Sequence, residues 1–203
     1  MAEKNDNNII KITLAIIIII AISALVYVNL PEKETKEDDD NNDNIIPVGE
    51  KILSIIYNSQ EINYTLSELE ELEAYPGSGS LIKTKVLPDI IIDGPYNFTG
   101  IKFTTLINQM DSLPNNYNIT VTASDGWTTV FTKDQINGEI EVYNETGDII
   151  EGGNVSMILA YKEDNEYINE EDGPLRIAFI GENAITASNL WSKMVETIEI
   201  IEV

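Results

Sequence analysis

Residues 118–132 read NITVTASDGWTTVFT, and their pattern decides how the rest of the chain is taken. Ile119, Val121 and Ala123 alternate with Thr120, Thr122 and Ser124, the period-2 signature of a half-buried strand. Asp125-Gly126 then supplies residues that tolerate left-handed dihedrals, so the chain reverses into a second strand that ends at Thr132. Trp127 beside this turn is unusual bulk. It either caps a core or walls a pocket, and the two outcomes imply different functions.

Composition narrows the chemistry available to that hairpin. The 203 residues contain no cysteine and no histidine. Disulfides, thiolate nucleophiles, Cys-ligated metals and Ser-His-Asp or Cys-His catalysis are therefore excluded. Any metal would be a hard, oxygen-ligated ion. The net charge of -23 falls almost wholly after residue 30, because Glu3, Lys4, Asp6 and Lys11 cancel. Such a surface repels polyanions, so nucleic acid is excluded as a partner.

Residues 9–30, IIKITLAIIIIIAISALVYVNL, carry a single charge, Lys11, and 22 residues of helix reach across a bilayer core of about 30 Å. A cleaved signal peptide is the alternative, but the apolar run continues past Ala21, Ser23 and Ala24 through Leu25, Val26, Tyr27 and Val28. The segment is read as a retained signal anchor with residues 1–8 as a short cytoplasmic tail. Lys4 and Lys11 on one side balance Lys33 and Lys36 on the other, so orientation rests on the size of the exported part. Sequons at Asn63, Asn97, Asn118, Asn144 and Asn154 fit an exterior location without proving it. The localisation expected is therefore a cell membrane, single-pass, with the C-terminal domain extracytoplasmic.

Residues 31–44, PEKETKEDDDNNDN, hold seven acids, two lysines and nothing to bury. They read as an acidic disordered stalk. The run Asp38, Asp39, Asp40 lacks the Gly and terminal Glu of an EF-hand loop.

Residues 45–203 form the expected domain. Thr65-Leu66-Ser67-Glu68 and Thr132-Lys133-Asp134-Gln135 are capping boxes that start helices. Leu66, Leu69 and Leu72 share a face of the first, and a second amphipathic stretch from Thr104 turns Leu106, Ile107 and Met110 inward. Glycines suggest a loop over GSGS, residues 77–80, and a turn at Gly100. Strands are predicted over 51–57, 90–92, 139–143, 155–161, 175–180 and 197–203 besides the hairpin. The expected class is α+β, mostly antiparallel and mixed β-sheets with a few short helices, preceded by one transmembrane helix.

The order of YNFTGIKFTTLI (96–107), VTASDGWTTVFT (121–132), MILAYKED (157–164), GPLRIAFIG (173–181) and SNLWSKMVETIEI (188–200) resembles the oxidoreductase molybdopterin-binding domain family, the sulfite-oxidase-like fold, over roughly residues 50–203. The resemblance implies several β-sheets around a pterin cleft. It also implies a cysteine thiolate on molybdenum and basic and histidine side chains around the pterin phosphate. The chain has neither cysteine nor histidine, and LIKTKVLPDIII (81–92), before YNFTG, offers no soft donor. It reads as a degenerate member that kept the fold and lost the redox centre.

Candidate binding residues follow from these motifs: Ser124, Asp125, Gly126 and Trp127 in the hairpin, Gly173 and Arg176 in GPLR, and Trp191. Arg176 is the chain's one arginine. It could clamp an anionic ligand or close an internal salt bridge. Trp127 and Trp191 could stack a planar ligand or fill a core. Asp125 could move a proton or only shape the turn. No catalytic or metal-ligating residue is expected, and no cofactor, although the resemblance itself implies molybdopterin. The expected function is binding of a small ligand or partner protein without redox activity. The alternatives are an active molybdopterin-dependent oxidoreductase with non-cysteine ligation and a structural cell-envelope protein.

Overall fold

The computed structural model describes residues 49–84, 90–151, 154–169 and 171–203. The 1–8 tail, the 9–30 apolar segment and the 31–44 stalk lie outside the described residues. Among the described residues no helix is long and apolar enough to cross a membrane.

Two sheets carry the domain. The first has five strands: β1 (Lys51–Tyr57), β2 (Gln60–Thr65), β5 (Tyr117–Ala123), β6 (Thr128–Thr132) and β13 (Val195–Glu202), in the order β2-β1-β13-β5-β6. The second contains β3 (Ala74–Thr84), β4 (Ile91–Lys102), β9 (Val155–Glu163), β10 (Glu166–Tyr167), β11 (Arg176–Gly181) and β12 (Ile185–Ala187), ordered β10-β9-β4-β3-β12 with β11 also on β9. β7 (Val142–Tyr143) and β8 (Ile149–Ile150) pair separately. Most pairs are antiparallel, but β1 runs parallel to β13 and β12 parallel to β3.

The alternating pattern of β5 explains the core. Tyr117, Ile119, Val121 and Ala123 are buried, and Phe131 lies opposite Ile119 in the β5–β6 register. All but Ala123 join Leu53, Ile55, Ile198 and Ile200 of the same sheet and Ile158, Leu159, Ile177 and Phe179 of the other in one apolar cluster. Burying each large apolar side chain contributes about 1.5–3 kcal/mol.

The α+β expectation is corrected. Strand accounts for 54% of the described residues and helix for 12%. The helices are single turns between strands: α1 (Leu66–Glu70), α2 (Phe103–Ile107) and α3 (Lys133–Ile136), with a 3-10 turn at Ser188–Leu190. Both capping boxes form, but α1 buries only Leu69, α3 only Ile136, and α2 only Phe103, Leu106 and Ile107, so among the described residues no helical layer covers a sheet.

Two glycine readings are also overturned. GSGS lies inside β3, and Gly100 lies inside β4. A Cβ at Gly79 would stand 2.1 Å from the Phe179 carbonyl oxygen, and one at Gly100 would stand 2.2 Å from the Leu159 carbonyl oxygen. Glycine here admits a neighbouring backbone rather than turning the chain.

Candidate cleft beside the hairpin turn

The turn joins Ala123 to Trp127 through three residues. Ala123 N–H donates to the Trp127 carbonyl at 2.8 Å, Gly126 N–H donates back to the Ala123 carbonyl at 2.9 Å, and Gly126 takes φ +87°. Asp125 Oδ1 accepts the Trp127 N–H at 2.9 Å, which fixes the turn from its side chain. Ser124 N–H reaches across to the Met194 carbonyl at 2.9 Å, tying the turn to the segment before β13.

That tie makes a cleft of about 310 Å³, whose lining includes Asp125, Trp127, Asn189, Trp191, Lys193 and Met194. Trp127 is 66% exposed and stands as its outer wall. Trp191 is 6% exposed, packs against Phe98 with ring centroids 5.5 Å apart, and donates from Nε1 to the buried Thr186 hydroxyl at 2.8 Å. The two tryptophans therefore share a cleft in different capacities. One is structure with an edge on the cleft, and the other is open surface.

The structure separates the remaining candidates from this cleft. Arg176 is 4% exposed; its Nη1 donates to Glu163 Oε2 at 2.9 Å and its guanidinium carbon lies 5.3 Å from the Phe98 ring and 5.6 Å from the Trp191 ring. Arg176 Nε has no hydrogen-bond partner among the described residues. The arginine is an internal ion pair beneath Trp191, not a lining residue. Gly173 is buried with φ +75°, and a Cβ there would meet Met194 Cα at 2.4 Å. It positions the Met194 backbone that receives Ser124. Sequence reasoning missed Ser188, Asn189, Ser192, Lys193 and Met194; their one signal was adjacency to Trp191.

Next to Gly79, on the β3–β4 pair, lies a polar chain. Lys83 Nζ is 2.6 Å from Asp93 Oδ2, and the Tyr96 hydroxyl donates to Asp93 Oδ1. Hydrogen bonds from Lys83 and Tyr96 hold the Asp93 carboxyl below its ordinary range. The bond to Asp93 pushes the Tyr96 phenol up.

Molybdopterin, which the resemblance implies, is not fitted by these residues. Leu81 and Ile82, in the stretch before YNFTG, are buried aliphatics, and Lys83 is engaged by Asp93. No sulfur donor exists to ligate molybdenum as a thiolate, since the chain lacks cysteine. Phosphate would need free cations, and each described one is engaged. Lys51 pairs with Glu61, Lys162 with Glu70, Lys193 with Asp172 and Arg176 with Glu163. Lys133 donates to the Asn115 carbonyl, and Lys102 sits over the Tyr75 ring. Among the described residues, no group of three or more acidic side chains is arranged to hold a metal ion. A larger cleft of about 510 Å³, lined by Ser78, Ser80, Tyr143, Asn144, Glu145 and Asn183 among others, includes no basic side chain and none of the sequence-predicted residues.

No family model matches the sequence. No curated protein matches it either. Among solved structures, a chain of the sulfane dehydrogenase SoxCD from Paracoccus pantotrophus matches with a TM-score of 0.54 and 14% identity, covering 74% of this chain. The match spans 38% of that chain's length. The likeness is one of fold, and it agrees with the sulfite-oxidase-like arrangement that the motifs resemble.

Proposed function

We propose that this protein is a membrane-tethered, extracytoplasmic binding protein whose sulfite-oxidase-like domain performs no redox chemistry and takes a small ligand beside Trp127. The observation that carries the reading is the contrast between the two candidate centres. The stretch where the resemblance implies a thiolate offers buried Leu81 and Ile82, whereas the hairpin turn presents an exposed indole, an exposed carboxylate and short polar groups around a cleft. Apolar pockets with a few converging polar groups bind ligands. The tether is read from the apolar 9–30 segment of the sequence.

The test is metal and pterin analysis of the full chain, purified in detergent from a host that makes molybdopterin. The expected result is neither molybdenum nor pterin in stoichiometric amount. One molybdenum per chain, retained through gel filtration, overturns the non-redox reading.

A further inference from the structure

We infer that the cleft beside Trp127 takes a small organic cation, with an ammonium group seated on the indole face and held by the Asp125 carboxylate. This rests on the binding role proposed above and adds the ligand's chemistry. The indole is the best side-chain face for a cation, because its π-system presents negative potential. Trp127 offers that face at the turn, where it is 66% exposed. Asp125 lines the same cleft and is itself exposed. A carboxylate accepts through both oxygens, and the Trp127 N–H uses one of them.

The charge of the chain selects the sign of the ligand. At -23 overall, with each described cation already engaged, the chain repels anions and draws cations. Lys193 is the one cation lining the cleft, and Asp172 neutralises it. Asp125 has no such counter-charge among the described ion pairs, so the cleft carries a net negative group. Its volume of about 310 Å³ lies at the small end of ligand sites, which suits a small ammonium-bearing group and not a dinucleotide. A neutral sugar could stack on the same indole and donate a hydroxyl to Asp125, but it would draw nothing from the negative charge.

The experiment is a fluorescence titration of the full chain in detergent with choline, with 3,3-dimethylbutanol as its uncharged isostere, and with glucose, sodium phosphate and an oligo-lysine peptide. Trp127→Leu reports whether a signal comes from the cleft, since it leaves Trp191 in place. Asp125→Asn removes the charge while its amide oxygen still accepts the Trp127 N–H, so the turn survives. The expected result is saturable binding of choline, lost in Trp127→Leu and weakened about tenfold both by Asp125→Asn and by the uncharged isostere. Equal binding of choline and the isostere overturns the cation, as does Trp127-dependent binding of glucose, phosphate or the peptide alone; the binding role then stands. If no probe gives a saturable, Trp127-dependent signal, both the cation and the cleft fall together.

Discussion

Arg176 on β11 donates from Nη1 to Glu163 Oε2 on β9 at 2.9 Å, beneath the rings of Phe98 and Trp191. The guanidinium is nearly sealed while the Glu163 side chain is 25% exposed, so the arginine depends on the glutamate more than the reverse. Glu163→Ala leaves a buried charge without its partner and is expected to destabilise the domain by about 3 kcal/mol. Arg176→Met, which keeps apolar volume against the two aromatic rings, is expected to cost less. Urea denaturation of the two variants decides the matter. An unchanged midpoint for Glu163→Ala would show that the pair is dispensable and return Arg176 to the candidate ligand clamps.

Two glycines that look alike in sequence are expected to respond differently to alanine. Gly126 has φ +87° but open space where a methyl would sit, whereas at Gly173, with φ +75°, the methyl would lie 2.4 Å from Met194 Cα. Gly126→Ala carries only left-handed strain, about 1 kcal/mol. Gly173→Ala adds a backbone clash and is expected to exceed about 2 kcal/mol while shifting Met194 and the cleft wall. Thermal unfolding of both variants checks the order, and a milder effect at Gly173 would contradict the packing described.

Asp93 links acid and alkaline stability. Its folded pKa is lowered, by hydrogen bonds from Lys83 and then Tyr96, so its contribution is present above the unfolded value and fades as pH falls through the folded one. Tyr96 is the mirror case. Its pKa is raised, chiefly by the bond to Asp93, so its contribution is present below the unfolded value and fades as pH rises through the folded one. The wild-type midpoint is therefore expected to decline below about pH 4 and above about pH 10. Tyr96→Phe should shallow both declines, the alkaline one more, since Lys83 still holds Asp93. Identical pH profiles for wild type and Tyr96→Phe would exclude the coupling.

What the sequence made legible was local. The alternation over 118–132, the two capping boxes and the run that became β11 each specify their structure through neighbours a few residues away, and each formed. The glycines of GSGS and Gly100 could not be read that way, because their reason is a strand from elsewhere: Phe179 against Gly79, Leu159 against Gly100. α1 and α3 began where their capping boxes predicted, yet nothing in the caps fixes length, and an α+β reading overstated the helices. The site was half legible. Turn chemistry predicted the reversal at Asp125-Gly126, and Asp125 and Trp127 line the cleft, but only the tertiary tie from Ser124 to Met194 brings residues 188–194 opposite, and only that packing decides which tryptophan is buried.

The two tryptophans give the sharpest test of that division. Trp191 fills space against Phe98 and Phe179 and satisfies the buried Thr186 hydroxyl, so Trp191→Phe removes indole volume and leaves that hydroxyl unpaired. The expected cost is about 2–3 kcal/mol in urea denaturation. Trp127 packs against little, and Trp127→Leu is expected to stay within about 0.5 kcal/mol of wild type. Emission separates them without any ligand. The Trp127→Leu protein, with Trp191 alone, should emit as a buried indole, and the Trp191→Phe protein, with Trp127 alone, as a hydrated one quenched readily by iodide or acrylamide. If Trp127 proves shielded from quencher in the folded chain, something covers it, and the open wall on which the binding site depends is not there.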